Sequence, residues 1–144
     1  MTEVKFFYNV DHKLNFACQV AQKAYKEGRK LVVYTPDTRQ AEAFDRLLWT
    51  LAALSFVPHV RAEHALASAT PVIITTDDRA LPHHEALLNL SHEPPPFFSR
   101  FEHLREIVTS QADDRAQARE RANFYKSRGF SILNHDMKAA AQNG

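Results

Sequence analysis

Apolar and polar positions along this chain repeatedly change period. Val4-Lys5-Phe6-Phe7-Tyr8-Asn9-Val10 is short and rich in β-formers, which predicts a strand. From Lys13 onward Leu14, Ala17, Cys18, Ala21, Ala24 and Tyr25 fall at helical spacing until Gly28 stops the run. Lys30-Leu31-Val32-Val33-Tyr34 predicts a second strand. Asp37 and Gln40 then stand at capping-box spacing, opening a helix whose core stripe is Phe44, Leu47, Leu48 and Leu51. At roughly 100° per residue, Trp49 lies about 140° from Phe44 and is expected to face outward, either covering an expected loop at Ser55-Phe56-Val57-Pro58-His59 or joining Phe56 in an interface. Pro71-Val72-Ile73-Ile74-Thr75 and Ala86-Leu87-Leu88-Asn89-Leu90 predict two further strands, with a polar segment between them. Pro94-Pro95-Pro96 blocks helix and ladder alike. It precedes a short amphipathic turn carrying Phe97, Phe98, Phe101 and Leu104, and a last predicted strand around Glu106-Ile107-Val108. Residues 113–128 read as a polar closing helix, ended by Gly129 as a C′ glycine with Phe130 placed to pack back on the last turns.

Strand and helix alternate through most of the chain, which predicts a three-layer α/β fold: an open, mostly parallel sheet with helices on both faces. The 144 residues are expected to form a single domain, 1–144, long enough to bury about 68–70% of the unfolded surface without disulfides or metals. No repeat or linker divides it. The architecture is Rossmann-like, yet the three glycines, Gly28, Gly129 and Gly144, leave every strand-to-helix turn without one. Such turns are where backbone N–H groups come close to phosphate. A nucleotide-binding fold without its nucleotide-binding loop is expected, and no cofactor.

Eighteen Lys and Arg against seventeen Asp and Glu give a formal charge of +1, so any basic site must be local. The single cysteine, Cys18, cannot form an intramolecular disulfide, and its place in a helical apolar stripe reads as a packed small hydrophobe rather than a catalytic thiol. The first residues lack the basic-then-apolar pattern of a signal peptide, and no apolar run approaches the roughly 20 residues needed to span a bilayer. A cytoplasmic protein without membrane contact is the expectation.

Catalytic signatures are missing. No G-x-x-x-x-G-K-[ST], G-x-G-x-x-G or G-x-S-x-G occurs, so P-loop, dinucleotide and nucleophile-elbow chemistry are not expected in their usual forms, and no catalytic residue is assigned. Eight histidines invite a metal reading, above all Asp77-Asp78 with His83-His84-Glu85, but adjacent histidines point to different sides, and a solvated loop fits better. The closing helix is more informative. Arg115, Arg119, Ala122 and Lys126, spaced four, three and four, form one stripe with a small residue among three cations. Such a stripe suits a carboxylate-rich peptide. With Asp113, Asp114 and Glu120 nearby, it also suits a solvated face. Three cations offer few phosphate contacts, so a DNA backbone fits it less well.

Val4-Lys5-Phe6-Phe7-Tyr8, Glu27-Gly28-Arg29-Lys30-Leu31, Asp45-Arg46-Leu47-Leu48-Trp49, Ser55-Phe56-Val57-Pro58-His59, and Ala118-Arg119-Glu120-Arg121 through Lys126 to Arg128-Gly129-Phe130 together resemble the chi subunit of bacterial DNA polymerase III holoenzyme. The resemblance runs nearly end to end. It implies a non-catalytic accessory protein that joins the clamp-loader assembly through the psi subunit, holds the C-terminal tail of single-stranded DNA-binding protein, and meets DNA mainly indirectly. By the same resemblance, the surface for psi, or for a helicase in its place, includes Trp49 and Phe56, with Val57 and Pro58 beside them. The tail surface includes Val108, Arg115 and Arg119 with Ala122, Asn123 and Lys126. The best-studied pattern of that family has an aromatic and a lysine where this chain has Ala122 and Asn123, and Phe124, Tyr125 and Lys126 are the neighbours able to replace those contacts. Readings from other classes are a small metal- or nucleotide-dependent hydrolase and a direct single-stranded nucleic-acid binder.

Overall fold

The computed structural model describes residues 1–51 and 56–138. Among them seven strands and three α-helices follow the order β1 (Glu3–Val10), α1 (Lys13–Lys26), β2 (Leu31–Tyr34), α2 (Thr38–Thr50), β3 (His59–Arg61), β4 (Val72–Thr75), β5 (Ala86–Asn89), β6 (His103–Thr109), α3 (Ala112–Ser127) and β7 (Ile132–Asp136). The strands form one sheet in the order β3-β4-β2-β5-β6-β1-β7, and every neighbouring pair is parallel. Parallel sheets need both faces covered. The central strands β2, β4 and β5 are accordingly buried at every position.

Helices cover both faces. On one, Ala17, Cys18 and Ala21 of α1 and Ala41, Phe44 and Leu48 of α2 pack on Leu31, Val33, Val72, Ile74, Leu88 and Ile107. On the other, Ala118 and Tyr125 of α3 join Phe97, Phe98 and Phe101 over Val4, Phe6, Val32, Ile73, Leu87 and Leu104. A bulge in β1 adjusts this division: Asn9 has a left-handed φ of 61°, a conformation Asn tolerates better than most residues, and the register with β6 shifts between Phe7 and Val10. Val4 and Phe6 consequently serve the α3 face while Val10 serves the α1–α2 face.

The helix ends follow their local signals. After α1 the Gly28 N–H donates to the Tyr25 carbonyl (3.1 Å) and the Arg29 N–H to that of Ala24 (2.8 Å). After α3, Gly129 donates to Lys126 (3.0 Å) and Phe130 to Tyr125 (3.0 Å). Both are paired C-terminal closures with glycine at positive φ, 72° and 89°, where a side chain would be strained. Phe130 packs back as expected, its ring 5.1 Å from that of Phe98. At α2 the Asp37 carboxylate accepts the Arg39 and Gln40 N–H groups, while Gln40 accepts from the Thr35 hydroxyl rather than from the Asp37 backbone, so the capping box is closed through Thr35.

Three expectations are corrected. His59, expected in a loop, begins the edge strand β3, which at three residues leaves no apolar alternation to read. The strand around Glu106-Ile107-Val108 starts at His103, taking Leu104 out of the preceding turn. Nor is it the last: β7 follows α3 and pairs with β1 from Val4↔Ile132 to Tyr8↔Asp136. Its polar Asn134, His135 and Asp136 suit an exposed edge and hide it from pattern reading.

Candidate interaction surfaces

Trp49 lies in the last turn of α2, and its outward direction holds. The indole is 52% exposed and lies 5.6 Å from the Phe56 ring, which is 50% exposed. The two rings cover each other only in part, leaving an aromatic step on the α1–α2 face. Beneath it, His59 sits 4.7 Å from the indole, ring to ring, and is nearly removed from solvent. Its Nδ1 is 2.7 Å from the Val57 carbonyl, and its Nε2 is 3.0 Å from the Asp45 carboxylate, close but not aligned as a hydrogen bond. This underlay fixes the indole from below. Val57 is 1% exposed and belongs to the core, and Pro58 is half-buried, so among the described residues here Trp49 and Phe56 alone present substantial apolar area. Ser55, the first residue of the expected loop, lies outside the described residues, as does Gly144.

On the opposite face, α3 turns Ala118, Arg121 and Tyr125 inward. The stripe of Arg115, Arg119, Ala122 and Lys126 runs along one flank of that buried face: the three cations are exposed and Ala122 is half-buried against the core. Among the described residues, none of these cations enters an ion pair. The acidic residues of the first turn point elsewhere, Asp114 accepting the Thr109 N–H and hydroxyl, both at 2.8 Å. Asn123 is exposed farther round the helix. Val108 is only 5% exposed and belongs to the core cluster on the α3 face, so it offers little open surface. Of the expected replacements, Lys126 alone shares the flank. Tyr125 is wholly buried, and Phe124, two residues from Lys126 and thus on the far side of the helix, packs edge-on to Phe98 with Arg128 stacked at 4.7 Å.

A polar network unforeseen from the sequence joins α3 to the sheet. Glu106 in β6, completely buried, accepts from Arg121 Nε (3.0 Å), Tyr125 hydroxyl (2.6 Å) and Asn89 Nδ2 (2.9 Å). Arg121 Nη1 donates to the His92 carbonyl at 3.1 Å, whereas its Nη2 is buried and has no partner among the described residues. Burial pushes the Glu106 carboxyl up from the ordinary carboxylate range, and Arg121, Tyr125 and Asn89 pull against it. The Tyr125 phenol is raised as well, by burial first and then by the neighbouring carboxylate. Helical spacing of Arg121 and Tyr125, four residues apart on the inward face, was the available signal; an arginine in a polar helix reads as solvated until its partner is known.

Elsewhere the chemistry is quiet. Cys18 is buried, and burial pushes its thiol up to about 11. In the segment expected as a solvated loop, Asp77 grips Arg79 through two contacts, 2.7 and 2.8 Å, which holds its carboxyl at about 2, and His84 packs against Phe101 at 5.1 Å. Among the described residues no three His, Cys, Asp or Glu side chains converge as metal ligands, and no helix is long and apolar enough to cross a membrane.

Comparison with known proteins matches residues 1–133 to the family described as DNA polymerase III chi subunit, HolC. The chain is similar to three proteins named DNA polymerase III subunit chi. That of Pseudomonas aeruginosa is 29% identical over 139 residues, covering 94% of this chain and 96% of the relative. Those of Haemophilus influenzae (29% over 117 residues, 81% of each chain) and Escherichia coli (28% over 116 residues, 80% of this chain and 79% of the relative) cover somewhat less.

Proposed function

Since this chain belongs to the DNA polymerase III chi subunit family, we propose that it serves DNA replication as a non-catalytic bridge in the clamp-loader assembly. One end of the bridge is a psi-type subunit, or a helicase in its place, and the other is the acidic C-terminal tail of single-stranded DNA-binding protein. The observation that carries the reading is the division of two unlike surfaces between two faces of one sheet. The Trp49/Phe56 step stands on the α2 side and the Arg115/Arg119/Lys126 flank on the α3 side. Partners seated on opposite faces do not compete for space.

Each surface has the chemistry of its partner. Half-exposed aromatics in mutual contact are the anchors that protein interfaces bury, and they enter a pocket at little cost in side-chain entropy. A tail that is acidic and ends in a free carboxylate is matched by a planar guanidinium within diffuse positive charge, and Arg119 lies midway along the stripe. Ala122 leaves room for an apolar side chain of the tail beside it.

Sequential binding on one sensor surface tests the bridge. A psi partner captured by the immobilised chain is expected to leave the affinity for a tail peptide unchanged. Mutual exclusion of the two would put both partners on one surface and end the reading.

A further inference from the structure

The α1–α2 face is not fully covered. Between α1 and the edge strand β7 lies a trough of about 500 Å³, whose floor and walls include Phe7, Phe16 and Val20. Its charged lining is four to one in favour of cations: Lys5, Lys23, Arg29 and Arg105 against Glu27. In a chain of net charge +1, this is a local concentration of positive charge. Past Phe16, Gln19 and Met137, residues common to both, the trough continues into a second hollow of about 540 Å³.

Two features of the trough run against folding convenience. Lys5 in β1 stands in register with Arg105 in β6, so like charges lie opposite one another on adjacent strands, which costs stability. Arg105 is partly neutralised by Glu3 at 3.0 Å, and Glu27 is shared between Lys23 at 4.0 Å and Arg29 at 3.4 Å, but among the described residues Lys5 has no carboxylate partner and lies instead over the Phe7 ring at 5.6 Å. The second feature is a set of incompletely buried aromatic rings in contact: Phe7 is 5.2 Å from Phe16 and 5.9 Å, edge-on, from His135. Local rules broken in this way mark a surface kept for binding.

We propose that this trough binds single-stranded DNA directly, with Lys5, Lys23, Arg29 and Arg105 on the phosphates and a base against Phe7, Phe16 and His135. A positively charged groove interleaved with aromatic rings is the common arrangement for single strands, because every base has a face to stack and every nucleotide a phosphate. An acidic peptide would use the cations and leave the rings idle, and a duplex keeps its bases stacked away from them. The two joined hollows give room for more than one nucleotide. The site is on the other side of the sheet from the α3 flank, so it neither requires nor weakens the proposed tail binding.

The test is fluorescence anisotropy of labelled oligo-dT of about fifteen nucleotides with the full chain, at two or more salt concentrations. Binding is expected, with log affinity falling against log salt with a slope of about −2 to −3 for three or four phosphate contacts. Lys5→Glu with Lys23→Glu is expected to weaken binding tenfold or more. Lys23→Glu alone, at a side chain 79% exposed and therefore safe for folding, should weaken it about threefold. Arg115→Glu with Arg119→Glu should leave oligo-dT binding unchanged while abolishing tail-peptide binding, so that either reading can fail without the other. Absence of binding at low salt, loss with the α3 variants instead, or displacement by polyglutamate as readily as by unlabelled oligo-dT would each overturn the proposal, the last by making the trough an acidic-peptide site.

Discussion

Arg121 reaches inward from α3 to place its Nε 3.0 Å from the Glu106 carboxylate of β6, and both side chains are withdrawn from water. Such a pair stabilises weakly when intact, since desolvation offsets most of the attraction, but removing one member leaves the other charge buried alone. Arg121→Ala is therefore expected to destabilise the fold by about 3–5 kcal/mol in urea unfolding. Tyr125→Phe, which removes one donor to the same carboxylate, should cost about 1–3 kcal/mol. Near-wild-type midpoints for both would mean that α3 is held on the sheet by apolar contacts alone.

Trp49→Ala and Phe56→Ala are each expected to weaken psi-type or helicase binding by about 2 kcal/mol or more, with little change in melting temperature. Val57→Ala supplies the contrast: at a core position it should cost about 2 kcal/mol of stability through lost burial and a small cavity, and leave the affinity of the folded fraction intact. Calorimetric titration beside thermal melts separates these effects. Collapsed stability with normal binding in the Trp49 and Phe56 variants would make those rings core and move the interface.

On α3, Arg119→Ala should cost about 1.5–3 kcal/mol of tail affinity, as loss of a charge-assisted contact does. Arg119→Lys should restore only part, because lysine lacks the planar two-point geometry. Ala122→Glu should block the tail by bulk and charge while psi-type binding persists. Anisotropy of a labelled tail peptide at two salt concentrations reads all three. Unchanged affinity in both Arg119→Ala and Ala122→Glu would place the tail elsewhere.

Cys18 gives a dependence on pH. Its thiol, raised to about 11 in the folded chain, keeps its proton after the exposed thiol of the unfolded chain, near about 8.5, has lost its own. The contribution to stability is thus fully present below the unfolded value and is lost as pH rises through the folded one. Cys18→Ala should lack this decline between roughly pH 9 and 11. In the native protein at pH 8, iodoacetamide should modify Cys18 only as fast as the structure opens, and rapid alkylation under native conditions would contradict the burial.

The sequence by itself determined what depends on neighbours along the chain. The apolar runs 31–34 and 72–75 needed no distant partner to read as buried parallel strands, the 3.6-residue stripe of α1 fixed which side Cys18 faces, and Gly28 and Gly129 marked helix ends because only glycine accepts a left-handed turn cheaply. The outward direction of Trp49 followed from angle alone. Tertiary structure decided what depends on residues far apart in sequence. β7 became a strand through its ladder with β1, more than a hundred residues away, despite a polar pattern. Arg121 and Tyr125 became interior residues because Glu106 and Asn89 wait for them across the sheet, and that placement removed Tyr125 from the candidate tail site. Val57 and Val108, named with the surfaces, are buried core residues. The cationic trough depends on the strand pairing that sets Lys5 beside Arg105 and on the space left between α1 and β7, and no local pattern encodes a gap between two elements.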